Sequence, residues 1–176
     1  DYQIGRKLSQ KYRFAEGAAF QRQALKFDPE YLPAKIQLAQ DLLRLGNEEE
    51  GWKLAEEVHT GDAYNIEAYN LSNLHDHLSE FATLRAEGFV VRMDKHEAQV
   101  YGDIVIELRN EANSTLCEKY GAQLDKPIVV ELFPEQQDFA VRTFGMPGGD
   151  GFLGVCFGNV ITANSQVEYD VKRMIE

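Results

Sequence analysis

The sequence predicts an α+β protein, with helical repeats at the N-terminus followed by a small mixed or antiparallel sheet that has a long helix packed on it. Three observations carry that expectation. Small and large apolar positions of the first half recur at an offset of 34 residues. The apolar period changes from helical to alternating after Glu80. A ladder of apolar residues spaced by three and four then runs from Val100 to Tyr120. The expected domains are residues 1–80, helical, and residues 81–176, α+β.

A chain of 176 residues that is 44% hydrophobic can bury one large core or two small ones. Its net charge of -11 and pI near 4.8 disfavour binding to nucleic acid through phosphates. No apolar run reaches the length of a membrane span, and no secretory leader pattern occurs. The chain starts at Asp1, part way into a helical pattern, which points to a mature form or an excised piece. Glu48, Glu49, Glu50, Glu56 and Glu57 read as a solvated helix face. Cys117 and Cys156 each sit in an apolar pattern and are expected to be buried free thiols.

In the first half, Gly17 falls on Gly51, Ala24 on Val58, Gly5 on Ala39 and Leu8 on Leu42 at the 34-residue offset. Small residues let paired helices approach, and large ones fill the seam. Pro33 suits a first helical turn, where its missing N–H costs nothing, and Gly46-Asn47 marks a turn between helices. Ala34, Leu38, Ala39, Leu42, Gly46, Gly51 and Ala55 together resemble the tetratricopeptide repeat pattern, most fully over residues 32–65, with partial repeats on either side. The resemblance implies a protein or peptide partner on the concave face made by the first helix of each pair. By register that face carries Tyr2, Arg6, Ile36, Gln40, Leu43, Asn70, Leu74 and His77. A clamp for a C-terminal carboxylate is not expected, because Ile36 and Gln40 stand at two of its positions. The competing expectation is that the repeats only pack against the second half.

The second half opens with two short strands, residues 81–84 and 89–93, joined through Glu87-Gly88. Asp94 is expected to cap a helix of about 25 residues, roughly 37 Å long. Its single apolar face is expected to hold Val100, Tyr101, Ile104, Val105, Leu108, Ala112, Leu116 and Tyr120, with Gly121 as the stop. Residues 128–133 read as a strand and 135–144 as a short helix with Phe139, Val141 and Phe144 as its apolar residues. Residues 147–151 read as a glycine-rich loop, in which Asp150 is a turn residue rather than a calcium ligand. Residues 152–157 and 160–163 read as strands, with Gly158-Asn159 as a two-residue hairpin.

Gly88-Phe89-Val90-Val91, the run Val129 to Pro134, the run Asp138 to Gly145 and Gly154-Val155-Cys156-Phe157-Gly158 resemble the front half of a gluzincin-type, peptidase MA-like zinc metallopeptidase domain. In that family a helix with His-Glu-x-x-His follows, its histidines binding zinc and its glutamate polarising water. No such motif occurs in the 176 residues. At His96-Glu97 the second histidine's place is taken by Val100, and His75 and His77 are two residues apart, pointing to different sides of a helix. Neither a nucleophile elbow nor a phosphate-binding lysine loop occurs.

No catalytic residue, metal ligand or cofactor is therefore expected in this chain, with zinc implied only if a His-Glu-x-x-His helix follows in a parent protein. The resemblance also implies an edge strand able to pair with an extended substrate, placed at Val160, Ile161, Thr162, Ala163 and Asn164. Residues 166–176 do not match the family and are expected to cover the sheet or to be joined after a missing stretch. Two functions fit. One is a non-catalytic scaffold and protein-interaction portion of a larger metallopeptidase-like protein. The other is a stand-alone repeat-based binding module with an α+β cap.

Overall fold

The structure, a computed structural model, describes residues 1–86, 88–121, 127–149 and 151–165, apart from the Arg109 side chain. Glu87, Asp150 and residues 166–176, on which a turn, a loop residue and a covering tail were expected, lie outside the described residues. The fold is α+β. The chain divides into two compact units, and the first is discontinuous: Asp1–Ser79 together with Gln136–Phe152. The second comprises, among the described residues, those of Glu80–Glu135 and residues 153–165.

In the first unit, α1 is Tyr2–Ser9, α2 Phe14–Phe27, α3 Leu32–Arg44, α4 Glu48–Gly61 and α5 Ile66–Ser79. Each packs against the next. The 34-residue period is visible in the backbone itself. Helices α2 and α4 have the same length and begin 34 residues apart, as do the starts of α3 and α5. The left-handed residue before α2 is Tyr12, at φ 60°, and its counterpart before α4 is Gly46, at φ 75°. Asp28 and Asp62 end the second helices in the same extended conformation, and each carboxylate accepts an N–H two residues on, from Glu30 and Tyr64.

Glycine sets the close approach in each pair. A Cβ on Gly17 would lie 3.2 Å from the Gly5 carbonyl, and one on Gly51 3.2 Å from that of Ala39, again 34 residues on. Ala18, Leu38 and Leu42 form the apolar seam, with Leu25 and Leu54 packed against it. Helix α7, Gln136–Phe144, completes the unit and packs on α5.

The second unit holds β1 Ala82–Ala86, β2 Phe89–Met93, α6 Lys95–Tyr120, β3 Ile128–Phe133, β4 Gly154–Phe157 and β5 Val160–Asn164. The sheet order is β1-β2-β3-β5-β4. The three inner strands are parallel to one another and the two outer ones antiparallel to their neighbours. Such a mixed sheet needs crossovers between its parallel strands, and here α6 lies between β2 and β3 in sequence. Gly158, at φ 61°, makes the tight turn between β4 and β5.

Helix α6 starts where Asp94 accepts the N–H groups of His96 at 2.8 Å and Glu97 at 3.0 Å, and stops at left-handed Gly121. Its expected single apolar face is not what the structure shows. Val100, Ile104, Leu108, Leu116 and Tyr120 are exposed. A ladder of steps of four turns by about 40° per step, so over five steps it winds half-way round the helix. The side turned to the sheet is instead marked by Gly102, which lies against Leu84 of β1. A helix of 26 residues spans about 39 Å, whereas a five-residue strand covers about 17 Å.

Candidate functional site

The expected partner-binding face lies in the first unit, on α1, α3 and α5. Ile36, Gln40, Leu43 and Leu74 are buried, Leu43 at 2% and Leu74 at 1% exposure. Tyr2 is half-buried, its ring edge-on to Tyr31 at 5.4 Å, and Arg6 is exposed. Asn70 is half-buried and His77 exposed.

What meets the α3 and α5 part of this face is the chain's own segment from α7 onward. His77 Nδ1 lies 2.9 Å from Asp138 Oδ2. Asn70 Nδ2 lies 3.7 Å from the sulfur of Met146. Gly145 sits so close to Gln40 that a Cβ there would fall 2.8 Å from Nε2. Gly145 also has φ +86°, so only glycine fits both the backbone and the gap. Gln40 in turn donates to Glu67 of α5 at 3.1 Å.

Two arginines join α3 and α7 reciprocally. Arg142 donates from Nη1 to the Leu43 carbonyl at 3.2 Å, and its Nη2 lies 3.5 Å from Glu48. Arg44 donates from Nε to the Thr143 carbonyl at 3.1 Å. Each arginine thus serves a carbonyl in the last turn of the other helix, where the helix dipole is negative, and the Leu43 carbonyl accepts the Gly46 N–H as well. Arg142 is 3% exposed. Arg44 rests on the Phe14 ring, 5.2 Å from its centroid.

Asp41 balances this charge from beneath. Its carboxylate accepts from Ser9 at 2.7 Å and Gln37 at 3.1 Å, with Arg44 at 3.8 Å. Burial pushes its carboxyl up to about 6, against the opposing pull of Ser9, Arg44 and Gln37. Burial also lowers the Arg44 guanidinium, and Arg142 lowers it further, while Asp41 raises it.

None of Asp41, Arg44, Glu48 or Arg142 was expected to matter. The available signal is a charge set inside an apolar helical pattern: Asp41 beside Leu42 and Leu43, Arg142 beside Val141. Glu48 departs from the solvated face expected of it, since it turns to Arg142. Glu50 pairs with Arg22 and Glu57 with Lys35, as surface residues do.

In the second unit, the expected edge strand is corrected. Val160, Ile161, Thr162, Ala163 and Asn164 form β5, which pairs with β3 on one side and β4 on the other. Strand order follows pairing rather than sequence, and the hairpin folds β4 to the outside. The edge on this side of the sheet is Gly154–Phe157, and β1 forms the other edge. Cys156 lies on that strand and is exposed, Cys117 is half-buried, and both are free thiols, so neither shows the full burial expected of it.

At the carboxyl ends of β3 and β5, Ser165 donates to Glu97 at 2.7 Å, and its N–H to the Phe133 carbonyl at 2.8 Å. Burial first, and the Glu97 carboxylate second, hold the Tyr101 phenol above its ordinary range. Arg92 pairs with buried Glu131 at 3.0 Å across β2 and β3.

Of the histidines singled out, His75 stacks on Trp52 at 4.7 Å, while His96 lies in the first turn of α6. Among the described residues no group of three or more His, Cys, Asp or Glu side chains is arranged to hold a metal ion. No described helix is long and apolar enough to cross a membrane. Neither protein-family models, curated proteins nor solved structures provide a match to this chain.

Proposed function

We propose that this chain is the non-catalytic scaffold and protein-interaction portion of a larger metallopeptidase-like protein. In this reading the helical unit is built of tetratricopeptide-like repeats. The α+β unit is the sheet that would support a zinc site supplied by other sequence. The observation that carries the proposal is the placement of Gln136–Phe152. This segment lies between β3 and β4 in sequence, yet it belongs to the helical unit and fills the α3 and α5 part of its inner face. The repeats therefore hold a piece of the same chain that forms the sheet, which is what a scaffold requires. A stand-alone binding module with that part of its face open to a partner is less well supported, because Gln40, Asn70 and His77 already meet Gly145, Met146 and Asp138.

The test is metal analysis and a peptidase assay on the purified chain. The expected result is no stoichiometric zinc and no peptide cleavage. Finding about one tightly bound zinc per chain would overturn the proposal.

A further inference from the structure

We infer that Asp41 and Ser9 form a proton-operated latch between α3 and α1, which holds α1 firmly when the carboxyl is protonated and slackens when it is ionised. The inference stands on the first unit alone and does not depend on the metallopeptidase-like reading.

Ser9 Oγ lies 2.7 Å from Asp41 Oδ2 and 3.0 Å from the Gly5 carbonyl oxygen. Both are hydrogen-bond distances, but a serine hydroxyl has one proton. With Asp41 ionised, that proton serves one of the two oxygens, and the other contact is oxygen against oxygen. With Asp41 protonated, the carboxyl donates to Ser9 Oγ and Ser9 donates to Gly5, so both contacts are hydrogen bonds. The protonated acid alone satisfies the whole arrangement.

The surroundings favour the same form. Asp41 is fully buried and Ser9 is 6% exposed. Helix α2 closes over the pair, since a Cβ on Gly17 would collide with Ser9 Oγ and lie 2.9 Å from Asp41 Oδ2. On α3 itself, Gln37 donates to Oδ1 at 3.1 Å, while Arg44 Nη1 stays 3.8 Å from Oδ1, beyond hydrogen-bond reach. Arg44 is engaged elsewhere, donating from Nε to the Thr143 carbonyl of α7. The charged and titratable groups acting on Arg44 from other elements are Arg142 of α7, Glu67 of α5 and Tyr12 in the turn before α2. The charge acting on Asp41 is that of Arg44, and burial outweighs it, pushing the carboxyl up to about 6.

Helix α1 has eight residues, too few to be stable by itself, so it stays helical only while docked. Its opening returns Asp41 to water and towards the ordinary value of 3.8. The raised value belongs to the closed form. The hold on α1 is therefore complete below about pH 4 and is lost as pH rises through about 6.

The test is amide exchange by NMR on the full chain from about pH 5 to about pH 8. Protection of residues 5–10, corrected for the intrinsic pH dependence of exchange, is expressed relative to that of β3. In wild type this ratio is expected to fall at least about tenfold across the range, with the midpoint at which the Asp41 carboxyl carbon titrates. In Asp41→Asn, whose amide stays neutral and can still donate to Ser9, the ratio is expected to stay level. A wild-type ratio that does not fall overturns the inference, as does an equal fall in Asp41→Asn. If that variant loses its helical circular dichroism, wild type decides alone: different midpoints for the Asp41 carbon and for the α1 ratio overturn it.

Discussion

Arg44 and Arg142 lie on different helices, and each donates to a backbone carbonyl in the last turn of the other's helix. That exchange ties α3 to α7 across 99 residues of sequence. It makes Gln136–Phe152 part of the helical unit.

Replacing Arg142 with Ala should be among the most damaging substitutions in the chain. The side chain is almost fully buried and makes a charge-assisted bond to a carbonyl. Its loss leaves a cavity and removes a partner of Glu48. The expected fall in unfolding free energy is about 2–4 kcal/mol, read from urea denaturation. Lysine at the same position should recover only part of it, because one ammonium cannot reproduce the fork of the guanidinium.

Asp41 predicts a pH dependence. Its folded pKa, about 6, lies above the ordinary value of 3.8. The protonated form is therefore the one the fold prefers. The stability this group contributes is fully present below about pH 4 and is lost as pH rises through about 6. The change should amount to roughly 3 kcal/mol. Comparing denaturation of wild type and Asp41→Asn across that window isolates it from other carboxylates. Wild type should lose stability relative to the variant as pH rises, and parallel curves would contradict the assignment.

The two glycines of α4 should behave oppositely. A methyl group at Gly51 would lie 2.9 Å from the Leu43 side chain and 3.2 Å from the Ala39 carbonyl. Gly51→Ala should cost about 1–3 kcal/mol through overpacking. At Gly61 the nearest atom is 3.7 Å away, on Leu32. Gly61→Ala should shift stability by less than about 1 kcal/mol, in the stabilising direction, since alanine restricts the unfolded chain more than glycine does. Thermal melts of the two variants check this.

The sheet order predicts a hydrogen-exchange pattern. β5 is bonded on both sides, so the amides of residues 160–164 should be protected along its length. β4 is bonded on one side only, so alternate amides between Gly154 and Phe157 should exchange quickly. Uniform protection of β4 together with fast alternate exchange in β5 would reverse the order described.

Local features were legible in the sequence because local chemistry decides them. Asp94 caps α6 and Gly121 ends it because a carboxylate and a left-handed glycine act on their own neighbours. Gly158 makes its hairpin for the same reason. The 34-residue offset was legible because Gly17 and Gly51 meet the same kind of backbone in each helix pair. Features set by non-local pairing were not legible. Nothing in the wording of Val160 to Asn164 says that β4 will fold back outside it. Nothing in the run from Asp138 to Gly145 says that Arg142 will reach Leu43. The apolar residues of α6 misled because apolar spacing says nothing of what covers a helix: Val100 and Tyr120, about half-way round the helix from each other, are both exposed.

The central claim is that α7 and the turn after it occupy the inner face of the helical unit. The nuclear Overhauser effect between the α-protons of Gly145 and the side-chain amide of Gln40 tests it most directly, because Gly145 is packed against that amide. The account predicts a strong cross-peak, abolished in the Phe139→Asp, Arg142→Ala chain. A wild-type spectrum with the Gln40 amide resolved and no cross-peak to Gly145 would contradict it.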